Sequence, residues 1–89
     1  MTLERWITFS KHEQLLFITS ELERARVWEK SDNEKFRSAL TRGLELIDLA
    51  LQDDQWKDGF PMLQGLRDET AKLQSGTGTM STVMLLRAL

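Results

Sequence analysis

Four aspartates, Asp48, Asp53, Asp54 and Asp58, form the densest acidic cluster in this chain of 89 residues. Carboxylates grouped in this way hold Mg²⁺ or Ca²⁺ through oxygen, and a cation so held can activate water against a phosphate ester. A divalent-metal-dependent hydrolase of a small phosphate compound, with these four side chains as ligands, is therefore one reading. The spacing does not complete an EF-hand, because no glutamate stands at the twelfth position counted from Asp53 or Asp54. The single histidine, His12, opens His12-Glu13, but Leu16 stands where the helical zinc motif H-E-x-x-H needs its second histidine. A di-iron bundle would need at least two histidines. Neither Gly76 nor Gly78 is followed by the Lys-Ser or Lys-Thr pair of a phosphate loop, and no G-x-S-x-G turn occurs. No catalytic, cofactor-binding or metal-ligating residue is assigned, and no cofactor is expected.

Arg24, Arg26, Lys30, Lys35 and Arg37 could together meet phosphate groups. Glu21, Glu23, Glu29, Asp32 and Glu34 lie among them, however, and Glu21 with Arg24 and Glu23 with Arg26 have the i,i+3 spacing of surface ion pairs. The net charge is −2 with both signs mixed along the chain, which argues against nucleic acid and against an anionic membrane as partners. No apolar run exceeds four residues, against the roughly 20 needed to span a bilayer. The amino-terminal MTLERWITFSK lacks the apolar stretch of a signal peptide. Cysteine is absent, which fits a reducing compartment. The expectation is a cytoplasmic protein.

Helices must position whatever these residues do. From Phe36 to Leu51 the apolar positions, Leu49 excepted, fall within one arc of roughly 160°. An arc that wide needs more than one neighbour, so this helix is expected at the centre. Its face divides into a bulky edge (Leu40, Leu44, Ile47, Leu51) and a small one (Ala39, Gly43, Ala50). Glycine costs about 1 kcal/mol in a helix relative to alanine, so Gly43 suggests a close approach by another helix of this chain or of a second copy. Before it, a first helix starts either at the capping box Ser10-Lys11-His12-Glu13 or, in the preferred reading, at Thr2, running unbroken to about Lys30. Leu15, Ile18, Leu22 and Ala25 form its core stripe, while Phe9, Leu16 and Val27 point elsewhere. Ser31-Asp32-Asn33-Glu34 reads as a second capping box, and so short a connection makes the first two helices an antiparallel hairpin. A loop follows Leu51, with Asp58 as a possible cap for a third helix over Pro61 to Gln74. Ser75-Gly76-Thr77-Gly78 ends that helix, and a strongly apolar tail, Met80 to Leu89, makes a fourth. Trp6, Trp56 and Phe60 are expected to close one end of the bundle, and Trp28 with Phe36 the other.

The expected fold is all-α: one domain over residues 1–89, an up-down bundle of three main helices plus a short apolar C-terminal helix. The expected function is a small non-enzymatic protein–protein interaction module, a homodimeric adaptor or regulatory subunit. Self-association is the first partner expected, with an unidentified protein the second. The candidate interaction surface is the apolar excess: Phe9, Leu16, Val27, Ala39, Gly43, Met80, Val83, Met84, Leu86 and Leu89.

Overall fold

The computed structural model describes residues 1–77 and 80–89. Among them are five α-helices and no strand: α1 (Leu3–Trp6), α2 (Lys11–Trp28), α3 (Asn33–Ala50), α4 (Phe60–Ser75) and α5 (Thr82–Ala88), with a 3-10 helix over Asp54–Gly59 between α3 and α4. The all-α bundle read from the sequence is the fold observed. No helix among the described residues is long and apolar enough to cross a membrane.

The amino-terminal segment breaks where an unbroken helix from Thr2 is expected. Ser10 accepts from the Glu13 amide at 3.1 Å, and Glu13 accepts from the Ser10 amide at 3.0 Å. This capping box starts α2 and leaves α1 as one turn capped by Thr2. The Ser10 amide and hydroxyl also hold the Glu13 carboxyl below its ordinary range. At the other boundary Asp32, not Ser31, caps α3, accepting from the Lys35 amide at 3.1 Å, so no second capping box forms. Gly59, not Asp58, occupies the cap position of α4 and makes no side-chain cap bond, with Pro61 in the first turn. Gly76 ends α4 with a left-handed φ of 77°, a conformation that a side chain would strain. Gly78, the last residue of the expected stop, lies outside the described residues.

α2 and α3 run antiparallel, each 18 residues long, and make the most extensive contact in the molecule. α4 packs on α3, and α5 returns to α2 and touches α4, which closes the bundle. Ile18, Leu22 and Ala25 of α2 meet Phe36, Ala39, Leu40, Ile47 and Ala50 of α3 in one core, joined by Leu63 and Leu66 of α4 and Leu85 of α5. Trp6 and Trp56 are buried in the same core, and Trp28 and Phe60 pack half-buried against it.

Gly43 faces α2 inside this chain. A Cβ built there would lie 3.7 Å from Glu21 Cβ and 4.0 Å from Leu22 Cδ2, ordinary van der Waals distances. The close approach inferred from the glycine is thus intramolecular and leaves room for a methyl group. Gly43→Ala is expected to raise the unfolding free energy by about 0.5–1 kcal/mol, because alanine restricts the unfolded chain and favours helix. Urea unfolding followed by helical circular dichroism measures it. A loss of stability would mean that α2 and α3 cannot absorb the methyl.

Candidate functional site

The four aspartates do not converge. Asp48 on α3 pairs with Arg67 on α4, Nε to Oδ1 at 2.5 Å, and raises the guanidinium pKa further. Asp53 is buried and caps the 3-10 helix, while Asp54 and Asp58 are exposed. Among the described residues no group of three or more His, Cys, Asp or Glu side chains gathers where it could hold a metal. His12 is exposed at the start of α2.

Asp53 instead belongs to a buried polar network centred on Gln14, which stands on the core face of α2 one turn before Ile18. Gln14 Nε2 donates to Asp53 Oδ2 at 2.8 Å and to the carbonyls of Trp6 and Phe9 at 2.9 and 3.1 Å. Its Oε1 accepts from Trp56 Nε1 at 2.6 Å. Asp53 also accepts from the Gln55 amide and from Gln55 Nε2, each at 3.0 Å, and Gln55 Nε2 reaches the Phe9 carbonyl as well. Burial pushes the Asp53 carboxyl up, but the donors from Gln14 and Gln55 together outweigh it and hold the pKa below the ordinary 3.8. The network ties α1, the start of α2 and the 3-10 helix into one end of the bundle. The Gln14 bonds join segments of the fold up to 42 residues apart.

Glu21 departs from the surface ion pair expected of it. Its carboxylate is buried between α2 and α3, where Oε1 accepts from Arg24 Nη1 at 2.6 Å and Oε2 from Arg42 Nε at 2.9 Å. The second arginine, from α3, has no trace in local spacing. Glu23 with Arg26 keeps the expected exposed i,i+3 geometry at 2.9 Å. Lys35 lies over the Trp28 ring at 4.2 Å.

The candidate interaction residues divide by location. Leu16 and Val27 are 52% and 63% exposed on the outer face of α2. Phe9 is half-buried, edge-on to Phe17 at 5.0 Å. Ala39 and Gly43 are buried within their own chain and form no part of an exposed face, a correction that follows from the place of Ala39 in the core and of Gly43 against α2. Of the tail, Leu85 is buried, Met80, Leu86 and Leu89 are half-buried, and Val83 and Met84 are exposed. The tail therefore packs on its own chain while keeping an apolar outer side.

Compared with protein-family models, with curated proteins and with solved structures, the chain has no significant match. The reading of function rests on the surface itself.

That surface carries an apolar depression between α4 and α5. It is a groove of about 170 Å³ whose lining includes Met62, Gly65 and Leu66 of α4 and Leu85 and Ala88 of α5. Gly65 leaves it open, since a Cβ there would meet nothing within 4 Å. Met62 beside it is 46% exposed, and Met84, one turn before Ala88 on the same face of α5, is 51% exposed. Unbranched methionines adapt their shape to a partner and recur at binding surfaces. In sequence the tail is visible as apolar and Met62 falls on the apolar side of the third helix, but Gly65 carries no signal, because only the return of α5 onto α4 makes it part of one face.

Proposed function

We propose that this protein is a small non-enzymatic interaction module that self-associates through the α4–α5 face, as a homodimeric adaptor or regulatory subunit. The observation that carries the reading is the apolar groove lined by Met62, Gly65 and Ala88, with Met84 exposed on α5 one turn before Ala88. A second copy is favoured as its occupant for two reasons. Away from α3, α4 carries both signs of charge, Asp68, Glu69 and Lys72, so a second copy can approach it without strong like-charge repulsion. α5 is also only seven residues long beside the 16 of α4, so it covers less than half of that helix and leaves room alongside.

The association is reversible in this reading. The chain exposes 5561 Å², close to the roughly 5,400 Å² of a compact monomer of this mass, so the monomer does not depend on a partner for burial. A chain without cysteine suits a reducing compartment, and a cytoplasmic setting belongs to this reading.

Sedimentation equilibrium tests the proposal. The wild-type chain is expected to show a monomer–dimer equilibrium, and Met84→Lys to be monomeric at the same concentrations with an unchanged thermal midpoint, because Met84 is exposed in the monomer. A strictly monomeric wild type, or a dimer that persists in both Met84→Lys and Met62→Lys, would remove this face from consideration.

A further inference from the structure

The antiparallel α2 and α3 leave a second and chemically different surface along their seam. Two grooves, of about 570 and 450 Å³, meet at a shared pair of side chains, Arg24 and Arg42. On one side of that pair lie Trp28 and Lys35, and on the other Phe17 and Leu46. Phe17 and Trp28 are eleven residues apart on α2, so the combined seam is about 16 Å long.

The centre of the seam is built from a buried acid and two exposed bases. Glu21 accepts one N–H from each arginine, and neither guanidinium makes another side-chain hydrogen bond among the described residues. The Arg24 and Arg42 side chains remain 62% and 50% exposed. A guanidinium carries five N–H groups, so most donors of both have no side-chain partner among the described residues, while the Glu21 carboxylate anchors each arginine at the seam. Two positive charges against one negative leave the centre with one net positive charge. Holding the pair in place beforehand lowers the ordering cost of receiving an anion.

We infer that the α2–α3 seam is a docking site for an amphipathic helix of a partner protein, which sets one carboxylate on the Arg24–Arg42 pair and one bulky apolar side chain against Phe17 and Leu46. Phe17 and Arg24 stand two helical turns apart, about 10 Å. A partner helix lying along α2 therefore presents its apolar anchor and its carboxylate about seven residues apart. Charge complementarity is confined to the middle. Glu45 lines the apolar end, and Asp32 and Glu34 line the Trp28 end, so a run of acidic residues is repelled where a single one is received. The surface is separate from the α4–α5 face and does not depend on self-association.

Fluorescence anisotropy with a labelled helical peptide, alanine-rich and carrying leucine and glutamate seven residues apart, tests the inference against the full chain in the Met84→Lys background. Binding is expected to weaken about tenfold or more when the glutamate becomes glutamine or moves to four residues from the leucine, and again when salt is raised. Arg24→Gln and Arg42→Gln are each expected to weaken it similarly. Each leaves Glu21 one guanidinium partner, and an unchanged thermal melt confirms that the fold survives. Equal affinity for the glutamate and glutamine peptides overturns the proposal. So does the absence of binding up to about 1 mM protein, or binding that neither arginine variant alters.

Discussion

Gln14→Leu is expected to lower the unfolding free energy by about 3–5 kcal/mol, although leucine is close to glutamine in size and suits a helix. The loss comes from what the substitution strands. Trp56 Nε1 loses its acceptor, and the buried Asp53 carboxylate loses its shortest hydrogen bond. An unsatisfied buried donor costs about 1–3 kcal/mol, and a lost bond to a charged group about 1.5–3. The pH profile separates this cause from simple misfit. In the wild type the lowered Asp53 pKa contributes stability that is present above the ordinary value of 3.8 and is lost as pH falls through the folded value. Without Gln14 the folded pKa rises, so the acid limb of the stability curve flattens. Urea unfolding across the acid range measures both effects. A double-mutant cycle with Trp56→Phe, which removes the stranded N–H, should show coupling of about 1 kcal/mol or more. Strict additivity would refute the network as the source of the loss.

Leu85→Ala is expected to undock α5 altogether. Leu85 is the fully buried apolar anchor of that helix, and removing such a side chain costs about 2–5 kcal/mol. A seven-residue helix has no stability of its own in water, so little remains to hold residues 82–88 against α2 and α4. Native-state hydrogen exchange should show protection lost across α5 while α2 and α3 keep theirs. Self-association should disappear as well, because one wall of the α4–α5 groove goes with the helix. Equal loss of protection in all helices would show α5 to be part of a single cooperative unit.

The large features of this fold were legible because apolar period and punctuation agree. The α3 arc over Phe36, Leu40, Ile47 and Ala50 is the centre of the core, and Gly76 ends α4 as its position suggests. The amino terminus misled, since Leu3 and Trp6 are in phase with Phe17 and Trp28 and phase alone cannot show a break. The Ser10 box supplied the missing information. Asp53 and Asp54 are adjacent and alike in sequence, yet one is buried and one exposed, because only the 3-10 helix decides which turns inward. Gln14 was hidden differently. A polar residue on the face of Ile18, Leu22 and Ala25 reads as an interruption until its partners are known, and they lie about 40 residues away. The small edge of α3 marks a close neighbour without saying which, and the answer, α2 of the same chain, is a property of the hairpin.

That hairpin also fixes an order of events. α2 and α3 are joined by residues 29–32 alone, so their pairing closes a short loop and carries little entropic penalty. The Gln14 network closes loops of 39 and 42 residues and needs α1 and the 3-10 helix already in place. The hairpin therefore belongs to the early, fast part of folding and the network to the late side of the barrier. Interactions formed after the barrier govern how slowly the native chain opens, not how quickly it forms. The buried Gln14–Asp53–Trp56 bonds thus set the lifetime of the folded state.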